Sequence, residues 1–165
     1  QDYEARVWLR PGVSLDEVRA GIARELRRRD PQPRLTLVLG AGNITAIPAL
    51  DVLSALYQEN SAVLVKLNPI TDPLRPALEA AFAPLIDLGI VAVVSGDRDL
   101  GEALVTDDRV DRVHLTGSRH THDAIVWGDG EDAARRRAAG EPRLSTPVTS
   151  ELGGVGPAII VPEET

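Results

Sequence analysis

From residue 35 onward, short apolar runs alternate strictly with segments of helical periodicity, and this restricts the fold more than any other feature. Leu35-Thr-Leu-Val-Leu39 is a nearly continuous apolar run, the pattern of a strand buried on both faces of a sheet. Residues 45–58 then carry helical spacing, followed by a strand over Ala62–Leu67, a helix over 73–88 entered through Asp72-Pro73, a strand over Ile90–Val94, a short helix near 99–106 and a strand over Val110–Leu115. One strand and one helix roughly every 25 residues predict a parallel sheet joined by right-handed crossovers. The fold class is therefore α/β, a Rossmann-like parallel sheet flanked by helices.

Outside this series the signals are shorter. Val7–Leu9 reads as a strand, and Ser14 with Glu17 forms the sequence of a capping box ahead of Leu15, Val18, Ile22 and Leu26 at helical spacing, with Arg27-Arg-Arg29 at the helix end. Residues 1–30 are assigned to the same unit as residues 31–165, because 165 residues suit one core better than two. Beyond Ser118, a basic, alanine-rich stretch around Arg135-Arg-Arg137 reads as a surface helix, and Leu144–Thr149 and Ala158–Val161 as further extended segments.

Composition excludes several functions. No apolar run approaches the ~20 residues that span a bilayer, so no membrane segment is expected. With 18 Lys+Arg against 25 Asp+Glu, the net charge of −7 opposes non-specific attraction to nucleic acid. The absence of cysteine removes disulfides, thiolate metal sites and a thiol nucleophile from this chain. The chain has no methionine and begins at Gln1 without the pattern of a secretory signal, which predicts a piece of a longer, cytoplasmic protein.

Three glycine-containing turns are candidates for chemistry. Leu39-Gly40-Ala41-Gly42-Asn43-Ile44-Thr45 follows a strand and opens a helix, where backbone amides and a helix N-terminus bind phosphate. Thr45 stands where a dinucleotide fingerprint would place its third small residue, and the second strand ends in Lys66-Leu-Asn68-Pro69 rather than in a ribose-binding carboxylate. Lys66 either donates to ribose hydroxyls or a 2′-phosphate, or snorkels from the strand end into water. Leu115-Thr116-Gly117-Ser118 offers two hydroxyls beside a glycine, again suited to phosphate. His114, His120 and His122 lie nearby; helical spacing separates the last two, so they read as loop histidines and no metal is assigned. Glu151-Leu152-Gly153-Gly154 places a carboxylate on a flexible elbow, either positioned for proton transfer or solvated.

The order and spacing of these pieces resemble the aldehyde dehydrogenase superfamily. Asn43 stands 23 residues before Lys66, as the family's oxyanion asparagine precedes its coenzyme-binding lysine. Leu115-Thr-Gly-Ser118 is similar to the family's Phe-Thr-Gly-Ser turn, and Glu151-Leu-Gly-Gly154 to its Glu-Leu-Gly-Gly motif. The resemblance spans about residues 35–162 and implies an aldehyde dehydrogenase-like coenzyme-binding domain that stops before the catalytic domain and its cysteine. It implies catalytic roles for Asn43 and Glu151. It implies coenzyme contacts, to NAD or NADP, for Leu39, Gly40, Ala41, Gly42, Lys66, Asn68, Thr116, Gly117, Ser118, Leu152 and Gly153. The parent enzyme would oxidise a small-molecule aldehyde through a cysteine thioester, with Asn43 stabilising the oxyanion and Glu151 activating water. The full-length protein is expected to be a homo-oligomer, and this chain alone is expected to be inactive.

Three positions depart from the family pattern. Pro69 replaces a glutamate common in NAD-specific members, which leaves NAD against NADP open. His122 takes the place of a glycine, where it would bind phosphate or crowd it. Arg98 stands for a middle glycine in Gly96-Asp-Arg-Asp-Leu-Gly101, where it would pair with pyrophosphate. The alternatives are a catalytically inactive nucleotide-binding module, or an ordinary Rossmann reductase with pyrophosphate at residues 40–45.

Overall fold

In the computed structural model, which describes Glu4 and residues 6–22 and 24–154, strands and helices alternate as the apolar pattern requires. The elements are α1 (Leu15–Gly21), β1 (Leu35–Leu39), α2 (Ile47–Tyr57), β2 (Ala62–Lys66), α3 (Arg75–Asp87, led by a 3-10 turn Asp72–Leu74), β3 (Val91–Val94), α4 (Arg98–Val105), β4 (Arg112–Gly117), α5 (Arg119–Trp127), α6 (Gly130–Ala139) and β5 (Val148–Leu152). All four strand pairings are parallel, and the order is β3-β2-β1-β4-β5.

The period-2 geometry of the strands sorts their side chains into two cores. Val38, Val63, Val65, Val91 and Val93 pack with Val52 and Ala55 of α2 and Phe82 of α3. The alternate residues Leu37, Leu39, Val113 and Leu115 pack with Val105 of α4 and Ile125 of α5. Both faces are therefore covered, which explains why β1 is nearly all apolar instead of alternating. The chain leaves β1 toward β2 and β3, then crosses to the other side of β1 to make β4 and β5. Such a reversal opens a crevice at the carboxyl ends of the strands beside the switch point, here between β1 and β4.

Several expectations need correction. Val7–Leu9 forms no strand: Val7 and Trp8 are both 83% exposed, and without a ladder partner an extended segment leaves its amides to water. The capping box at Ser14 and Glu17 forms, with Glu17 N donating to Ser14 Oγ at 3.2 Å and Ser14 N donating to Glu17 Oε2 at 2.7 Å. The helix it starts nevertheless ends at Gly21, because Ile22 turns extended (ψ 131°). Leu15 and Val18 on the helix, and Ile22 and Leu26 beyond it, stay exposed. Finally, β4 runs on to Gly117 and β5 occupies 148–152 rather than 144–149, because the two strands pair in parallel with Thr116 opposite Glu151 and Gly117 opposite Leu152. Glu151 thus sits on a strand end, not on a flexible elbow. The segment Ala158–Val161 lies outside the described residues.

Candidate functional site

The carboxyl ends of β1, β2 and β4 and the helices α4 and α5 enclose a cleft of about 940 Å³, at the upper end of ordinary ligand sites. Its polar wall brings together Asn43, Lys66, Asn68, Thr116, Ser118 and Glu151. Leu39, Gly40, Gly42, Gly117 and Gly153 also line it. Two of the candidate residues face elsewhere: Ala41 is buried, at 1% exposure, and Leu152 packs against the α4–α5 core.

The first glycine turn is shaped by close backbone approach. Gly40 N donates to Lys66 O at 3.0 Å, extending the β1–β2 ladder by one residue. A Cβ on Gly42 would lie 2.8 Å from Asn68 Cγ, so a larger residue there would have to displace that side chain. Asn68 is fixed in turn, with Oδ1 accepting from Ile70 N at 3.0 Å and its carbonyl accepting from Thr71 N at 2.8 Å. Beside this cradle Lys66 is only 7% exposed, yet it pairs with no carboxylate among the described residues. Its stem is packed away while its ammonium reaches the cleft, where an anionic or multiply hydrogen-bonding ligand would give it a partner.

The hydroxyls of the second turn are already engaged. Thr116 Oγ1 donates to Asp51 Oδ2 at 3.1 Å. Ser118 is the N-cap of α5, its Oγ accepting from Thr121 N at 3.1 Å. His120 lines the cleft from the first turn of α5, whereas His122 turns to Asp123, with Nδ1 and Oδ1 3.2 Å apart. His122 is not among the residues that line the cleft. Arg98, at the start of α4, pairs with Asp129 at 2.9 Å, and Arg143 pairs with Glu102 at 3.1 Å. Val105, Ala124 and Ile125 form an apolar slot in the same lining.

A polar seam between α2 and β4 was not anticipated. Asp51 and Glu59 are eight residues apart on α2 and its exit, two helical turns, and they meet alternate residues of β4. Arg112 pairs with Glu59 at 2.7 Å, and His114 Nε2 lies 3.5 Å from Asp51 Oδ1. His114 is thus a strand residue and not a loop histidine. Its Nδ1 is 2.9 Å from Thr149 Oγ1, a hydroxyl that itself donates to Val113 O at 3.4 Å. With a carboxylate on one side and an acceptor lone pair on the other, both ring nitrogens are placed to donate. The hydrogen bond to Asp51 accordingly raises the His114 pKa above the ordinary imidazole value, opposed by burial and reinforced by the charges of Asp51, Glu151 and Glu59. The signal was present in the sequence: Arg112, His114 and Thr116 alternate with Val113, Leu115 and Gly117, which marks a strand face that meets polar partners.

Comparison with known proteins bears on this geometry. The sequence profile of the Aldehyde dehydrogenase family matches residues 44–164. The chain belongs to the aldehyde dehydrogenase family. It is 33% identical over 138 residues to geranial dehydrogenase of Castellaniella defragrans, a match covering 82% of this chain and 26% of that protein. Among solved structures, it resembles the aldehyde dehydrogenase of Mycobacterium tuberculosis complexed with NAD+, at TM-score 0.54 and 23% identity over 74% of this chain and 23% of that one. It also resembles 3,6-anhydro-L-galactose dehydrogenase in complex with NAP, at TM-score 0.52 and 23% identity over 73% of this chain and 23% of that one. The chain therefore spans about a quarter of the length of these aldehyde dehydrogenase relatives, and the likeness in structure is one of fold.

Proposed function

We propose that this chain is the coenzyme-binding part of an NAD(P)-dependent dehydrogenase that oxidises an aldehyde to an acid. The observation that carries the proposal is Lys66: a largely buried lysine at the ligand end of a parallel sheet, without a carboxylate partner among the described residues, lining the same cleft as Asn43 and Glu151. The residues fit a dinucleotide. Lys66 holds the ribose, the Gly42–Asn68 cradle admits the ligand close to backbone, and the slot at Val105, Ala124 and Ile125 takes the base. When bound, the coenzyme supplies the hydride acceptor. Asn43 donates its side-chain amide to the oxygen of the aldehyde as that oxygen gains charge, a role in which losing one donor costs about 10²–10³ in rate. Glu151 takes a proton from the water that releases the acid. The attacking thiol is supplied by polypeptide beyond these residues, since the sequence has no cysteine.

The engaged state of Thr116 and Ser118 supports a pyrophosphate that meets α5 through backbone amides more than through free hydroxyls. The full-length enzyme acts as a homo-oligomer in the cytoplasm on this reading. The test is calorimetric titration of NAD and NADP into the chain, with Lys66→Met keeping the apolar stem and removing the charge. Saturable binding of at least one coenzyme, weakened about tenfold or more in the variant, is expected, with no aldehyde oxidation by the chain alone. Equal binding by Lys66→Met would overturn the reading.

A further inference from the structure

We propose that the cleft takes NADP in preference to NAD, with Lys66 and Arg98 holding the 2′-phosphate and Asp129 keeping Arg98 in reserve. The inference rests on the coenzyme-binding role proposed above. In parallel nucleotide-binding sheets the residue at the tip of the second strand reads the ribose 2′ position: a carboxylate accepts the 2′-hydroxyl of NAD, and a cation accommodates the 2′-phosphate. Here β2 ends in Lys66, followed by Leu67, Asn68, Pro69 and Ile70, none of which carries a charge. The neighbouring strand end supplies a second cation. β2 and β3 pair with Lys66 opposite Val94, and four residues later α4 opens with Arg98, which lines the same cleft.

The acidic residues on this wall are each committed. Asp97 caps α4, its Oδ1 accepting from Leu100 N at 3.1 Å. Glu102 pairs with Arg143 at 3.1 Å and Asp129 with Arg98 at 2.9 Å. Glu151 stands on β5, three strands from β2. Among the described residues no carboxylate is left beside Lys66 to accept a 2′-hydroxyl, and its ammonium, at the end of a largely buried side chain, lacks the counter-charge that a phosphate dianion would bring. The Arg98–Asp129 pair is solvent-exposed, with side chains 72% and 67% accessible. Such a pair is weak, and a guanidinium exchanges it readily for a bidentate contact with phosphate.

Calorimetric titration of the chain with NADP, NAD, 2′,5′-ADP and ADP tests this. NADP and 2′,5′-ADP are expected to bind about tenfold more tightly than NAD and ADP. Arg98→Ala should collapse the NADP:NAD affinity ratio toward one. Asp129→Asn, which frees Arg98, should raise the ratio by a few-fold, and added salt should lower it. An NAD affinity equal to or above that of NADP overturns the inference and leaves the coenzyme cleft standing, as does an Asp129→Asn variant with an unchanged ratio. Binding of neither coenzyme overturns both.

Discussion

Gly42→Ala is the sharpest probe of how the cleft floor is built. The new methyl would stand 2.8 Å from Asn68 Cγ and 2.9 Å from both Oδ1 and Nδ2, about an ångström inside the ordinary contact distance of carbon atoms. Backbone strain is not the issue, since Gly42 is not among the positive-φ glycines. Asn68 must therefore swing away, and its bond from Ile70 N at 3.0 Å breaks. That bond is exposed, so water can replace it and its loss adds at most about 0.5–1.5 kcal/mol; with the packing strain that remains, the cost comes to about 1–3 kcal/mol. A double-mutant cycle isolates the clash. In an Asn68→Ala background the obstacle is gone, and Gly42→Ala should become neutral or slightly stabilising, because alanine restricts the unfolded chain more than glycine does. Urea unfolding followed by circular dichroism measures all four corners. A coupling of about 1 kcal/mol or more is expected; an equal cost of Gly42→Ala in both backgrounds would refute the steric account.

Two further outcomes follow from the same geometry. Because the folded pKa of His114 is raised by Asp51, the interaction stabilises the fold fully below the ordinary imidazole pKa and is lost as pH rises through the folded value. Proton NMR should show His114 titrating above the ordinary imidazole value, and Asp51→Asn should lower it; a His114 that titrates below that value would contradict the seam. Ser14→Ala removes the N-cap of α1, a change worth about 0.5–2 kcal/mol to a helix. As α1 has no buried residue, amide exchange around residues 15–21 should accelerate while the global unfolding midpoint stays in place.

The sheet was legible because β1 and β2 are nearly continuous apolar runs of the kind that a doubly covered strand sustains, and each is followed by a helical segment. The boundaries that slipped are those set by pairing partners remote in sequence. Nothing local in Val148–Leu152 shows that β4 will capture it, and nothing local in Leu15–Leu26 shows that no surface will cover its apolar face. The cleft residues were legible by type and order, but their engagement was not: that Thr116 belongs to Asp51, Ser118 to Thr121 and Arg98 to Asp129 depends on which elements the fold brings side by side. The strand order then adds a constraint on the ligand itself. Lys66 ends β2 and Glu151 lies at the end of β5, with β1 and β4 between them, so at ~4.8 Å per strand the two side chains are anchored ~14 Å apart. A mononucleotide held at Lys66 would stop short of Glu151. A ligand whose reacting end is to meet Asn43 and Glu151 while its far ribose rests on Lys66 has to lie extended along the sheet edge, which is the shape of a dinucleotide.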